Sequence, residues 1–358
     1  MIGPRLKLAT AATGLSLREL EARMNKLVTA QAIGKYERDE MMPSSTVLMA
    51  LARVLDVTEE YLLNPADARL LSVEFRKHKL TSAKENAVVR ARVLSEVERY
   101  LQIEQILRLD VADPAVEKKR VVHTLDEVEA AARHLRDEWQ LGNDAIPNLY
   151  ELLETKGIKI CAVSLPAKIS GVQATIDTTD DTRLPVIVVN ADHPGDRQRF
   201  TIAHELGHMY LDVRRDLDAE VACQRFAGAF MVPAEILRRE VGSSRRTITV
   251  RELFGLKRLF GVSAQALAYR AKDLGILSQA AAASIFRLFS ARGWRTQEPL
   301  EWPKERPARF ERLCIRALTE RLISESKASE LLQKTVTEVV QSMDEPPDES
   351  IDGRSAGF

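Results

Sequence analysis

The sequence predicts a mainly α-helical protein with a small β-sheet, which is an α+β arrangement. Helices are predicted because the helix formers Ala, Leu, Glu and Arg dominate long stretches of the chain. Strands are predicted only at three short apolar runs, near residues 158–163, 171–176 and 185–190. A chain of 358 residues with an apolar fraction of 45% is long enough for two or three domains with real cores.

The charge balance and the cysteine content indicate the cellular compartment and the kinds of partner to expect. Lys plus Arg number 52, and Asp plus Glu also number 52, so the net charge favours neither a nucleic-acid nor a membrane partner. Cys161, Cys223 and Cys314 are too few and too widely spaced for a disulfide framework or a zinc knuckle. No apolar run approaches 18 residues, and the N-terminus lacks a signal-peptide core. We therefore expect a cytoplasmic protein with no membrane partner.

The first 65 residues predict five short helices with clear start signals. Ser16 and Glu19 form a capping box for the second helix, and Thr29 caps a third helix over residues 30–37. A characteristic pattern runs through Gly14-Leu15-Ser16, Glu19-Leu20, Lys35-Tyr36-Glu37-Arg38, Pro43-Ser44, Leu51-Ala52 and Tyr61-Leu62-Leu63. This pattern resembles the lambda-repressor-like (XRE-type) helix-turn-helix domain. The turn before the third helix is about two residues longer than is usual in that domain.

In the resembled domain the third helix lies in the major groove of double-stranded DNA. The resemblance therefore implies DNA contact by residues on and around that helix. Gln31 suits an adenine, but no Arg is placed to read a guanine. Residues 1–64 contain eight cations and eight anions, so no basic footprint stands out. We favour DNA contact, and a protein-interaction module of the same fold stays open. The candidate DNA-contacting residues are Thr29, Gln31, Gly34, Lys35 and Arg38.

The motif H-E-x-x-H occurs at His204, Glu205 and His208. On a helix, positions i and i+4 share a face, so His204 and His208 could hold one Zn²⁺. Glu205 is offset from them, which suits a base that takes a proton from metal-bound water. Apolar residues surround the motif. An incidental pair of histidines on a surface helix would not be expected in such apolar surroundings, so the surroundings favour a metal site. The small predicted sheet leads into this helix, which is the layout of zincin peptidases.

A catalytic zinc needs three protein ligands as well as water, so one ligand is missing from the motif. Several residues near the motif have suitable chemistry, and spacing alone does not choose among them. Tyr210 and His193 are also close enough in sequence to be considered for stabilising an oxyanion, a role that stays unassigned. The candidate third ligands are Glu220, Cys223, Asp212, Asp216, Asp218 and His193.

A second pattern begins at the motif and continues downstream of it. His204-Glu205-Leu206-Gly207-His208 is followed by Glu220-x-x-x-Gln224-x-Phe226-Ala227, by Met231-Val232-Pro233, and by Leu259-Phe260-Gly261-Val262-Ser263, Ala266-Leu267, Arg270 and Leu274-Gly275. This pattern resembles the ImmA/IrrE family of metallo-endopeptidases, the M78 type. The resemblance implies that Glu220 completes the zinc site. The family usually has Ala-Asn where this chain has Cys223-Gln224, so we expect Cys223 to serve packing.

Together the two resemblances imply a zinc-dependent endopeptidase that acts in gene regulation. In the resembled family the substrate is typically a repressor that carries a helix-turn-helix domain. The N-terminal domain would then bind operator DNA or pair with that repressor. Two alternatives stay open: a non-proteolytic DNA-binding regulator whose zincin fold is a sensor or structural module, and an antitoxin-like regulator. The oligomeric state also stays open, with a homodimer among the options.

We expect five parts along the chain. The arginine-rich stretch near residues 238–258 is interpreted as part of a helical subdomain beside the peptidase site, in preference to a second DNA-contacting surface. The expected parts are a helix-turn-helix domain over residues 1–65, a helical linker over 66–123, a peptidase domain over 124–280, a C-terminal helical region over 281–343 and a disordered acidic tail over 344–358.

Overall fold

A computed structural model describes residues 2–63, 70–75, 83–109, 119–178, 183–306 and 308–344. Helices dominate these residues and the strands are few, which confirms the predicted fold class. The helices are α1 (Gly3–Thr13), α2 (Leu17–Arg23), α3 (Ala30–Glu37), α4 (Ser45–Leu55), α5 (Glu59–Leu63), α6 (Ala83–Ile106), α7 (Leu125–Glu138), α8 (Leu149–Thr155), α9 (Gly195–Tyr210), α10 (Ala219–Met231), α11 (Ala234–Val241), α12 (Val250–Phe260), α13 (Ala264–Asp273), α14 (Gln279–Ala291), α15 (Ala308–Thr319), α16 (Glu325–Leu332) and α17 (Val336–Asp344). The strands are β1 (Leu70–Phe75), β2 (Arg120–Val122), β3 (Lys159–Val163), β4 (Gly171–Thr178), β5 (Arg183–Asn190) and β6 (Leu211–Val213).

The chain divides into two units by its internal contacts. One unit contains residues 1–112, 174–188 and 307–347, and the other contains residues 113–173 and 189–306. The predicted domain boundaries are not tested by this division and stay a prediction. The predicted acidic tail beyond residue 344, and His78 in the predicted linker, lie outside the described residues.

In the first unit, α1 to α5 enclose one apolar core. The predicted capping box at Ser16 and Glu19 is confirmed, since each side chain bonds the backbone N–H of the other residue. Asn25 and Lys26 have φ angles of 53° and 59°. These left-handed backbone conformations accommodate the longer turn before α3. The Thr29 side chain accepts the Ala32 N–H at 3.2 Å, as expected for a helix cap.

The long helix α6 packs against α1 and against α15 in the same unit. Arg5 of α1 pairs with Glu98 of α6, and both side chains are buried. The other end of α6 shares an apolar core with the C-terminal helices, which includes Ile103, Leu107 and Cys314. Apolar residues of α6 and of the C-terminal helices therefore pack against each other.

Four strands form a sheet in the order β1-β4-β5-β3, and the two units divide within β4 and β5. Strand β1 pairs antiparallel with β4, with Phe75 opposite Ala174 and Leu70 opposite Thr178. A separate parallel pair, β2 with β6, flanks the start of α7 and the end of α9. The three predicted strands correspond to β3, β4 and β5, whereas β1 and the β2–β6 pair were not predicted. Among the described residues, no helix is long and apolar enough to cross a membrane.

Candidate metal centre

The helix α9 carries the H-E-x-x-H motif and follows directly after strand β5. Asn190, the last residue of β5, is fully buried, and its side-chain amide donates to the carbonyls of Leu165 and Ile169. At the first turn of α9, the side-chain amide of Gln198 donates to the His193 carbonyl at 2.8 Å. These bonds fix the point at which the chain leaves the sheet, and therefore the position of α9.

The buried side chain of Arg199, the next residue of α9, bonds to several other segments of the same unit. Its guanidinium pairs with Glu305 and donates to the Ile146 carbonyl at 2.6 Å. Burial lowers the pKa of Arg199 to about 9, so the group remains charged at neutral pH. Glu305 also accepts the backbone N–H groups of Leu149 and Tyr150, at 2.8 and 3.2 Å, which caps α8.

The second helix of the site, α10, begins at a well-formed cap. Oδ1 of Asp218 accepts the N–H groups of Glu220 and Val221, at 2.8 and 3.0 Å. This cap places Glu220 in the first turn of α10. At the other end, Arg136 donates to the Phe230 carbonyl at 2.6 Å and so satisfies a terminal carbonyl of the helix.

His204, His208 and Glu220 converge between α9 and α10. Their candidate ligand atoms all lie within 4.8 Å of one another. His204 Nε2 lies 3.2 Å from Glu220 Oε2, and His208 Nε2 lies 3.3 Å from Glu220 Oε1. The two imidazole rings are perpendicular, with centroids 4.7 Å apart. The His208 side chain is buried, while 64% of the Glu220 side chain is exposed, so the cluster is open to solvent on the Glu220 side.

These separations match a tetrahedral zinc site. Two ligands bonded to one zinc at about 2.0–2.1 Å are about 3.3–3.4 Å apart when the angle between them is tetrahedral. A hydrogen bond between a charged imidazole and a carboxylate is shorter, about 2.7–2.9 Å. Two imidazoles and one carboxylate are also a donor set that zinc takes in catalytic sites. The residues present therefore fit the metal that the motif implies.

The other candidate ligands have different surroundings. Asp218 caps α10, and Asp212 lies 3.3 Å from Arg214. Cys223 contacts the other ring nitrogen of His208, with Sγ 2.8 Å from Nδ1. His193 lies eleven residues before His204, and nine of these steps are within α9, which is roughly 14 Å along the helix axis. Asp216 is exposed in the loop before α10.

Two residues considered for oxyanion stabilisation have other partners. Burial raises the pKa of Tyr210, whose hydroxyl bonds Arg120. Burial also lowers the pKa of His193, whose ring bonds the backbone of Ala167. Glu205, the proposed base, is buried within α9 beside His204. The oxyanion role stays unassigned.

A groove of about 720 Å³ begins one helical turn before His204. Arg197 and Thr201 of α9 line it, and they share a helix face with His204. Val221 and Gln224 line it from α10, one and four residues after Glu220. The three candidate ligands do not themselves line the groove. Its opposite wall consists of α13 and of the segment over residues 294–301.

The groove rests on a buried ion cluster that the sequence did not reveal. Nζ of Lys257 lies 2.7 Å from Asp196 and 2.8 Å from Glu298, and its side chain is 1% exposed. Glu298 also accepts the N–H groups of Ala264 and Gln265, both at 3.1 Å, which caps α13. Lys257 belongs to the arginine-rich stretch, so this cation of that stretch stabilises the subdomain and is not available to DNA.

The candidate DNA-contacting residues occupy different environments on α3. Gln31 and Lys35 are exposed, and Thr29 is exposed at the cap. Arg38 forms two bonds with Glu40, at 2.6 and 2.9 Å. Gly34 is buried, and its contact with DNA stays a prediction.

A side chain at position 34 would lie 3.4 Å from Leu17 of α2, so Gly34 allows these two helices to pack closely.

Comparison with protein families matches two segments of the chain. Residues 153–272 match the model described as the IrrE N-terminal-like domain, of the M78 peptidase family. Residues 7–62 match the helix-turn-helix model. Comparison with curated proteins gave no match, and comparison with solved structures gave none either. The chain therefore joins a segment that matches a helix-turn-helix model to a segment that matches the IrrE N-terminal-like model.

Proposed function

We propose that the chain is a zinc-dependent endopeptidase that acts in gene regulation by cleaving a helix-turn-helix repressor. The observation that carries this proposal is the convergence of His204, His208 and Glu220 at separations that suit one zinc ion. The match of residues 153–272 to a peptidase family supports the same reaction class. A purely structural zinc site has four protein ligands, whereas this cluster has three and is exposed on the Glu220 side.

The proposed chemistry divides between the metal and the protein. Bound zinc would supply a Lewis acid that lowers the pKa of water towards 7 and polarises the substrate carbonyl. His204, His208 and Glu220 would hold it. Glu205 accepts a proton at its carboxylate as water attacks the peptide carbonyl, and it returns that proton to the leaving amine. Because Glu205 is buried, its carboxylate has little freedom to turn away from the reacting atoms.

We assign the groove beside the cluster to the substrate chain. Arg197 lies seven residues, or about 10 Å of helix, before His204 on the same face. An extended peptide covers about 3.3 Å per residue, so about three substrate residues would span that distance. Val221 and Tyr269 offer the groove exposed apolar surface, at 50% and 37% exposure. A folded repressor would therefore have to present an extended segment in order to be cut.

Metal removal tests the peptidase proposal. The purified zinc-loaded protein is incubated with helix-turn-helix repressors from the same organism, and fragments are identified by mass spectrometry. We expect cleavage at one site, loss of cleavage with a strong zinc chelator, and recovery when zinc is restored. Cleavage that continues unchanged in the chelator would contradict a zinc peptidase and would point to a contaminating protease.

For the N-terminal domain we propose contact with double-stranded DNA through Gln31 and Lys35. Both side chains are exposed on α3, and the first turn of that helix reads base edges in domains of this fold. Since Glu40 holds Arg38, and residues 1–64 contain as many anions as cations, the affinity is expected to be modest. The rival role is pairing with a repressor, which the exposed side chains of Met41 and Met42 favour.

A gel-shift series on the protein's own promoter distinguishes these roles. We expect binding that weakens steadily as salt rises, because phosphate contacts release counterions. Gln31→Ala should weaken promoter binding by about 5- to 150-fold, which is the range for one bidentate adenine contact. Gln333→Ala, in the C-terminal helices, is the matched control and should change nothing. Binding indifferent to salt and to promoter sequence would refute the DNA role and support the pairing role.

A further inference from the structure

Cys223 occupies a position at the metal cluster that the family resemblance does not explain. Its Sγ atom lies 2.8 Å from Nδ1 of His208, and both residues are buried. The other ring nitrogen of His208, Nε2, faces Glu220 at 3.3 Å. The two ring nitrogens of His208 therefore face two different side chains of α10: Nδ1 faces Cys223, and Nε2 faces Glu220.

The close approach of α9 and α10 makes this contact possible. A side chain at Gly207 would lie 3.1 Å from the ring of Phe226 and 3.4 Å from Cys223. Only a residue without a side chain leaves that space open, so Gly207 sets the separation of the two helices. At that separation the short side chain of Cys223 reaches the His208 ring directly.

A neutral imidazole carries its proton on one nitrogen and a lone pair on the other. If Nδ1 of His208 carries the proton, it donates to Sγ of Cys223, and the lone pair of Nε2 faces Glu220. If Nε2 carries the proton, that lone pair is lost and the nitrogen cannot bind a metal. Partners at the second ring nitrogen commonly fix this choice in metal sites, and they are usually a carboxylate or a carbonyl oxygen.

We propose that Cys223 is a positioning residue that accepts a hydrogen bond from Nδ1–H of His208 and so keeps Nε2 ready to bind zinc. This inference rests on the proposed zinc function. Here a thiol sulfur takes the place that an oxygen acceptor holds in other sites. The role needs the sulfur as an acceptor at 2.8 Å, and it does not make Cys223 a metal ligand.

Zinc affinity of Cys223 variants tests the proposal, measured by competition with a chromophoric chelator. Cys223→Ala removes the acceptor and should lower the affinity about 10-fold, the lower end of the range for such partners. Cys223→Ser restores an acceptor and should stay within about 3-fold of the wild type. Cys161→Ala removes a buried thiol from β3 in the same unit and is the matched control for a simple packing defect. Its affinity should not change.

Two spectroscopic measurements separate positioning from other roles. Nitrogen NMR of histidine-labelled, zinc-free protein should show the Nδ1–H form of His208 in the wild type and in Cys223→Ser, but not in Cys223→Ala. In the cobalt-loaded wild type we expect no sulfur-to-metal charge-transfer band. Such a band would overturn the proposal, because Cys223 would then be a ligand.

The remaining outcomes are equally decisive. Unchanged zinc affinity and an unchanged tautomer in Cys223→Ala would overturn the positioning role. Equal losses in the Ser and Ala variants, with melting temperatures like that of the wild type, would also overturn it. If Cys223→Ala does not fold, the zinc-free wild type still decides, because an Nε2–H form of His208 there would overturn the proposal. A wild-type protein that binds no zinc would instead refute the proposed function itself.

Discussion

Glu205→Gln is expected to retain zinc and to lose cleavage by about 10²- to 10⁴-fold, which is the usual contribution of a general base or acid. The amide is close to the carboxylate in size, so the packing within α9 should survive the change. It cannot accept the proton of the attacking water, because an amide nitrogen and oxygen are far weaker bases. Since Glu205 lies outside the cluster of His204, His208 and Glu220, the metal should remain bound.

The measurement compares initial cleavage rates of a repressor substrate by wild type and variant, with zinc content determined on the same samples. Gln198→Glu is not a suitable control, because Gln198 anchors the start of α9 through its amide. Glu240→Gln is the matched control, since this exposed carboxylate lies on α11 away from the cluster. Cleavage by Glu205→Gln at the wild-type rate would refute the general-base assignment. Loss of zinc in that variant would make Glu205 part of the metal site.

Arg199→Met is expected to destabilise the peptidase unit by about 3–5 kcal/mol, the range for breaking one side of a buried ion pair. Arg199 is fully buried and pairs with Glu305, which loses its counter-charge in the variant. The carbonyls of Pro147 and Ile146 also lose a donor, which leaves buried acceptors unsatisfied. Methionine fills most of the volume, so the expected loss comes mainly from charge and hydrogen bonding.

Urea unfolding followed by tryptophan fluorescence measures this effect, because the ring of Trp302 lies 5.6 Å from the Arg199 guanidinium. Arg258→Met, at an exposed position of α12, is the control and should change stability by less than about 0.5 kcal/mol. Adding Glu305→Gln to Arg199→Met should recover part of the loss, since the amide oxygen still caps α8 without a buried charge. A loss below about 1 kcal/mol for Arg199→Met would show that the ion pair is not a main anchor of α9.

The features predicted from sequence are those that depend on local chemistry. The capping box at Ser16 and Glu19, the cap at Thr29 and the spacing of His204 and His208 each involve residues no more than four positions apart. Helix geometry alone brings such residues together. Strands β3, β4 and β5 were also visible, because each is a short apolar run between turn residues.

Features that depend on tertiary packing were not predicted. Spacing left several candidates for the third member of the cluster, and only the family resemblance singled out Glu220. The contact of Cys223 with His208 depends on how closely α10 approaches α9, which no local pattern encodes. Arg199 and Glu305 are separated by 106 positions, so a sequence pattern could not pair them. Strands β2 and β6 have three residues each, which is too few to show the alternation of apolar and polar residues that predicts a strand.

We propose that His204, His208 and Glu220 bind one zinc ion. Anomalous diffraction at the zinc absorption edge, on crystals of the zinc-loaded wild type, tests it most directly. We expect one strong peak about 2.0–2.1 Å from Nε2 of both histidines and about 2.0–2.2 Å from a Glu220 oxygen. No peak at this cluster, or a peak bonded to Cys223 Sγ in place of Glu220, would contradict it.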